Sequence, residues 1–428
     1  MKASESVKNY PSSLRMYTNY TVREIKKICQ TIGPRESGSE SERKAQEHFA
    51  DEMKTCCDKV EIEDFKMSKY AFMAWVVIAA VFGLVAIAAS FFVPVVSLVL
   101  ILLAFLCTVT EFVKYWEFLE PIFPKSTSCN AVGVRAPKGE VKQRIVFSGH
   151  ADSAYEWTYT YLGGKNLLFG IVIPAVLGLV YVLVVSIISV AMSSAEETPL
   201  WLSIVQYAQF VFVPFFIAAL FFTNFKRPVM GANDNLTGAV ASVAVLKYLE
   251  DNGIRFENTE VVAVTTGCEE TGLRGAKAYT KNHLDELKAV PTAFVALDTL
   301  KDYECMAIYN KDMTGTVKND PRVCALIKKG AERAGLDLPY ESVYLGASDA
   351  ARVTTLGVPA ATLAAMDPGP PRYYHTRLDT IEELEMKTVE KCLDICLQTL
   401  FIYDEFGLKE NYDDVEVDAE VVSPKSKN

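Results

Sequence analysis

The chain is poor in the residues that would mark several functions. Its 428 residues include only four histidines, and none of its ten cysteines stands in a CxxC pair, which excludes zinc-finger and thioredoxin-type motifs. Acidic residues outnumber basic ones, 53 against 43, for a formal net charge of −10. That balance supplies no basic surface for nucleic acid, and no such partner is expected. The opening "MKASESVKNY" lacks the apolar stretch of a signal peptide, so the cysteines are expected to be reduced and to serve packing.

Charge is missing altogether from three long stretches. Tyr70 to Thr110 contains no Asp, Glu, Lys or Arg, and neither do "NLLFGIVIPAVLGLVYVLVVSIISVAM" from Asn166 or "LWLSIVQYAQFVFVPFFIAALFFTNF" from Leu200. At about 20 residues per crossing, these predict four transmembrane helices inserted as two hairpins, 70–113 and 166–225. Prolines 94, 174 and 214 are tolerable there, because neighbouring helices can re-satisfy freed carbonyls. Each insertion has an even number of crossings, so 1–69, 114–165 and 226–410 are expected to assemble as one domain on one side of a lipid bilayer. Residues 411–428, acidic and polar, predict a disordered tail.

Those three pieces alternate strand and helix patterns. "QRIVFSGHAD", "TEVVAVTTG" and "VPTAFVALDTL" read as buried strands; "SESERKAQEHFADEMKTCC", "NLTGAVASVAVLKYLEDNG", "GLRGAKAYTKNH", "DPRVCALIKKGAERAG" and "TIEELEMKTVEKCLDICLQTLFIYDEF" read as helices. The expectation is an α/β domain with a mostly parallel sheet covered on both faces. In such a sheet, polar residues at strand carboxyl ends share a crevice. His150 and Asp152 in "SGHADS", Asp234 in "GANDNLTG", Glu269 and Glu270 in "CEETG", and Asp298 in "VALDTL" are delivered there, with His375 in "RYYHTRLDT" preceding a helix. Singly, each acid would be a cap or a solvated residue, and Asp234 an N-cap. Together, two imidazoles and several carboxylates suit zinc. His48 and His283 fall on expected surface helices and read as solvated.

"GHADS", "GANDNLTG", "CEETGLRGAKAY", "ALDT" and "YYHTRLDT", in that order, resemble the M28 family of zinc peptidases, its aminopeptidase group. "IGPRESGSESERKAQEHFADEM" and "SCNAVGVRAP" are similar to the family's first helix and to the strand before the His strand. The hairpins lie outside the usual domain and are similar to membrane-embedded bacterial members. The resemblance implies a three-layer α/β/α zinc-exopeptidase fold and two Zn2+ ions. Asp234 would bridge both; His150 and Asp298 would complete one, Glu270 and His375 the other. It makes Glu269 the general base and acid, and Asp152 the acceptor of the second nitrogen of His150. It also implies a cis peptide after Asp234, which would make the "NLT" sequon a false glycosylation signal. In "LGASDAARV", Ala350 stands where the family often has histidine. Tyr344, Tyr373 and Tyr374 are the candidate oxyanion donors.

The activity implied is that of a membrane-anchored aminopeptidase acting on peptides. Glutaminyl cyclase-type acyl transfer on the same fold, or a noncatalytic membrane scaffold, are the alternatives. Lys66, Lys69, Lys114, Lys125, Lys165, Lys226 and Arg227 flank the hairpins on the domain side. By the positive-inside rule they predict a multi-pass protein of the cell membrane with a cytoplasmic catalytic domain.

Overall fold

The computed structural model describes residues 2–194, 197–343 and 345–425. The chain forms two compact units: Met1–Met67, Ser126–Ala154 and Pro228–Asn428 make the first, Ser68–Lys125 and Tyr155–Arg227 the second.

The strands in chain order are β1 (Lys59–Met67), β2 (Ser126–Arg135), β3 (Gln143–His150) and β4 (Tyr155–Trp157). Then follow β5 (Thr223–Pro228), β6 (Thr259–Thr266), β7 (Thr292–Leu300) and β8 (Met306–Asp312). The last are β9 (Val317–Lys318), β10 (Tyr340–Ser342) and β11 (Ala360–Ala365). Nine of them make one sheet in the first unit, ordered β1-β2-β6-β3-β7-β11-β8-β10, with β9 beside β8. Its central strands β6, β3, β7 and β11 run parallel, and antiparallel strands lie towards both edges.

The parallel strands are apolar on both faces, as burial under two helical layers requires. Ile145 and Phe147 of β3 join a core with the helices Tyr10–Thr31, Glu40–Met53, Leu236–Asp251, Pro321–Arg333 and Met386–Phe406, while Val146 joins a second core with the helix Arg274–Asn282. The fold is the expected three-layer α/β/α sandwich. The helix Leu236–Asp251 lies very close to the sheet: a Cβ on Gly149 would sit 2.3 Å from the Gly238 carbonyl carbon. Glycine is required there because the two backbones touch.

Three expectations change. The helix Met386–Phe406 starts six residues after Thr380, because Glu385 caps it through the Lys387 N–H. A first helix, Tyr10–Thr31, has no counterpart in the pattern reading. The tail expected to be disordered is tied down as far as 425: Tyr412 and Val415 are buried, and Val422 bridges to Leu336. Two apolar anchors outweigh the acidic composition there. Residues 426–428 lie outside the described residues.

Among the described residues of the second unit, four helices are long and apolar enough to cross a membrane: Ala71–Ala89, Pro94–Val113, Thr158–Ala191 and Leu200–Ala219. Gly163 and Gly164 break the third near its start. A short 3-10 stretch, Gln209–Phe212, interrupts the fourth before Pro214. Side-chain hydrogen bonds join them. The Ser97 and Ser186 hydroxyls meet at 2.7 Å, and Gln206 and Gln209 donate to Ser90 at 2.9 and 3.0 Å. Buried polar side chains of this kind hold helices together where no water competes.

Candidate metal centre

Five separate segments deliver the site, one of them the loop that carries Asp234 before the helix Leu236–Asp251. β3 ends on His150, which is 2 % exposed. β6 ends at Thr266, and Cys268 then turns the chain at φ 55°. At β7 a register shift against β11 falls beside Asp298, with Thr299 at φ 45°. His375 itself has φ 52°. Left-handed non-glycine residues are uncommon and gather where a site over-determines the backbone.

Asp234 lies between the two imidazoles. Its Oδ1 is 3.2 Å from His150 Nε2 and its Oδ2 3.2 Å from His375 Nε2. Glu270 Oε2 is 3.0 Å from His375 Nε2, and Glu269 Oε2 is 3.8 Å from His150 Nε2. His150, Asp234 and Asp298 can present ligand atoms within 4.8 Å of one another; so can Asp234, Glu270 and His375, and so can His150, Glu269 and Glu270. His150, Asp234, Glu269, Glu270, Asp298 and His375 are therefore brought together. The cap that the sequence offers to Asp234 falls to Asn235, which accepts from Gly238 N and leaves the Asp234 carboxylate to face the imidazoles. The Asp234–Asn235 peptide is cis. Asn235 is buried, its amide donating to Leu297 O, so its sequon is inaccessible.

Asp152 makes a different set of contacts from the one expected. Its Oδ1 is 3.5 Å from His150 Nδ1, and its own carbonyl, at 3.2 Å, is nearer. Its two carboxylate oxygens accept the backbone N–H groups of Glu269 and Glu270 at 3.1 and 3.2 Å. Asp152 thus fixes the turn that carries both glutamates. Asp379 lies within the "YYHTRLDT" motif, where the pattern alone assigns it no role. Fully buried, it accepts from Asn233 N, Asn233 Nδ2 and Asp234 N at 2.9, 2.7 and 3.0 Å, clamping the Asp234 loop.

Charge in this space is badly compensated by the chain alone. Burial opposes the charged form of His375, but Glu270 and Asp234 raise its pKa to about 10. Burial likewise opposes charge on His150, and Glu269, Asp152 and Asp234 outweigh it. Burial, then the nearby Asp234, pushes Asp298 up to about 7. Burial and Glu270 hold Glu269 well above the carboxylate range, against the pull of His150. Carboxyl groups driven to hold protons beside imidazoles driven to stay charged mark a space in which further positive charge would be stabilised. Asp234 Oδ2 and Glu270 Oε1 are buried without a hydrogen bond, although the first has His375 Nε2 nearby. Two imidazole nitrogens with three carboxylates form a donor set that zinc accepts.

Tyr373 Oη donates to Asp302 at 2.7 Å, and the Tyr374 ring stacks on His375 with centroids 3.9 Å apart; Tyr344 lies outside the described residues. His48 and His283 stay away from the centre. They are not simply solvated: they meet Glu24 at 3.2 Å and Glu63 at 2.5 Å. All ten cysteines are free.

Residues 216–400 match the model of Peptidase family M28. No curated protein matches the chain. Among solved structures, the aminopeptidase from Aneurinibacillus sp. strain AM-1 is 14 % identical with a TM-score of 0.54, covering 91 % of this chain and 95 % of its own. The zinc aminopeptidase BSAP from Bacillus subtilis is also 14 % identical at 0.54, with 90 % and 94 % covered. A glutaminyl cyclase from an Acidobacteriales bacterium is 12 % identical at 0.53, with 91 % and 94 % covered. At such identities these likenesses establish the fold. Residues 216–400 thus match the model of peptidase family M28, and the chain as a whole shares the fold of these zinc aminopeptidases.

Proposed function

We propose that this chain is a membrane-anchored two-zinc aminopeptidase, hydrolysing N-terminal residues from peptides. The observation that carries the reading is the Asp234 carboxylate, with one oxygen directed to each of two buried imidazoles and Glu269 beside the same space. His150, Asp298 and Asp234 would hold one ion, and His375, Glu270 and Asp234 the other. Zinc, when bound, supplies Lewis acidity and lowers the pKa of water.

The chain's own part begins with Glu269. Its neighbour Glu270 is committed to the His375 side, and Asp152 holds the N–H groups of both. The Glu269 carboxylate is thus kept next to the centre as a proton carrier: it accepts a proton from the attacking water and returns it to the leaving amine. Burial favours the protonated form that the second half of this cycle needs. Tyr373 is committed to Asp302, so Tyr374, stacked on His375, is the candidate oxyanion donor among the described residues.

The four apolar helices support the anchoring. Trp116, Phe118 and Ile122, exposed just after the second helix, have the aromatic and aliphatic character of a membrane interface.

Aminoacyl arylamides, dipeptides and an N-terminal glutaminyl peptide, assayed with zinc and with a chelator, test the activity. Release of free amino acids that the chelator abolishes is the expected result. Cyclisation of the glutaminyl peptide without hydrolysis of the others would point instead to acyl transfer, the activity named for one of the similar folds.

A further inference from the structure

The loop from Gly33 to Ser39, between the first two helices, supplies none of the proposed ligands, yet it reaches the backbone behind several of them. Arg35 is fully buried. Its Nε donates to Ala151 O at 2.7 Å, Nη1 to Gly33 O and Met230 O at 2.9 and 2.8 Å, and Nη2 to Gly231 O at 2.9 Å. Among the described residues no carboxylate stands within ion-pair distance of it.

The same loop adds three more ties. Arg35 N donates to Ser153 Oγ at 2.9 Å, and Ser153 Oγ in turn to Val229 O at 2.9 Å. Ser37 Oγ donates to Asp152 Oδ2 at 2.7 Å. Glu42, at the start of the following helix, accepts Gly38 N at 2.7 Å through one oxygen and Cys268 N at 2.8 Å through the other.

Burying a guanidinium that has no anion in contact is costly, and a packing role would be filled more cheaply by an apolar side chain. The four carbonyls that it serves belong to the segment after His150, the segment before Asp234 and the loop itself. A rigid planar fork can fix distances between three backbones at once, which a lysine cannot. Its charge also sits among the acids of the centre; burial lowers its pKa, and Asp152, Asp379 and Asp234 favour its charged form.

We infer that Arg35 is a positioning residue of the metal centre, with Ser37 as its auxiliary: the guanidinium sets the spacing between the His150–Asp152 segment and the Met230–Asp234 loop, and so sets how His150 and Asp234 present their ligand atoms. This inference rests on the two-metal reading above.

The test uses the full-length protein in lipid or detergent, with Arg35→Lys, Arg35→Met and Ser37→Ala. Zinc affinity is read by competition with a chromogenic chelator, and folding by circular dichroism and thermal unfolding with zinc withheld. Supporting partners of metal ligands are worth about 10- to 100-fold in affinity. Arg35→Met is expected at the upper end of that range, Arg35→Lys between it and the natural protein, and Ser37→Ala at the lower end, all three folded. A folded Arg35→Met protein that binds zinc with unchanged affinity overturns the inference. Where either Arg35 variant fails to fold, Ser37→Ala decides: loss of affinity supports the loop's role, and unchanged affinity rejects it. Absence of zinc binding by the natural protein would instead reject the two-metal reading itself.

Discussion

Glu269 and Glu270 are neighbours in sequence with different surroundings, and that difference predicts different failures. Glu270 lies 3.0 Å from His375 Nε2, so Glu270→Gln should lower zinc occupancy. Glu269→Gln should leave zinc content near the natural level while turnover falls by ~10²-fold or more, the scale of a lost general base. Metal analysis beside single-turnover rates checks both, and the reverse pattern would exchange the two roles.

A second residue-scale expectation concerns protons. Without metal, the surrounding carboxylates raise His375 to about 10 and raise His150 as well, which favours the protonated ring at neutral pH. Zinc needs the neutral ring, and its binding must therefore expel protons. Affinity should rise as pH increases towards the His375 value, and should be weaker at about pH 6 than at about pH 8. Calorimetry in two buffers of different ionisation enthalpy should show net proton release; an apparent enthalpy independent of buffer would refute it.

Much of this site was legible because its ligands are chemically distinctive and end recognisable strands. The supports were not. Asp379 and Arg35 act on backbone N–H and carbonyl groups that no side-chain pattern reports, and Asp152 serves two amides rather than mainly the imidazole.

Among the secondary-structure elements, the apolar strands β3, β6 and β7 and the helix Leu236–Asp251 could be read from pattern alone, since continuous burial leaves a continuous apolar signature. The helix Tyr10–Thr31 could not. It is rich in tyrosine and threonine, with Thr18 and Thr21 bonding back to carbonyls four residues earlier, and such residues are weak helix formers whose order comes from tertiary packing. β1 was also missed, its nine residues including five charged ones on an edge strand. The close approach of Gly149 to Gly238 gives a prediction at this scale. Gly149→Ala would put a Cβ 2.3 Å from backbone, driving the helix Leu236–Asp251 away from β3 next to His150. The expected cost is about 1–3 kcal/mol, with weakened zinc binding; a thermal midpoint and affinity both unchanged would contradict the described packing.

On the scale of the whole chain, uninterrupted apolar length alone makes the four helices readable from the residues. The proposed orientation, with the peptidase unit in the cytoplasm, follows from Lys66, Lys69, Lys114, Lys125, Lys165, Lys226 and Arg227 flanking the hairpins. A cysteine placed at Ser193, in a background lacking reactive thiols, should be labelled in intact cells by an impermeant reagent. Protection there, with labelling of a cysteine in the acidic tail, would reverse the topology.

Each apolar excursion leaves and re-enters the first unit at two points that lie side by side. Met67 pairs with Ser126 as the last rung of the β1–β2 ladder, and Ala154 accepts from Val229 N at 2.9 Å. In the language of chain connectivity, each excursion is the loop of a turn that is already closed without it. Sites where the chain ends nearly touch are those at which whole segments can be gained or lost with little effect on the surrounding fold. A chain with 68–125 replaced by a two-residue Asn-Gly turn and 155–227 by a short polar link should therefore fold without detergent and bind zinc. The four apolar helices would then be separable from the rest of the chain by two splices, neither of which passes through the residues of the candidate centre.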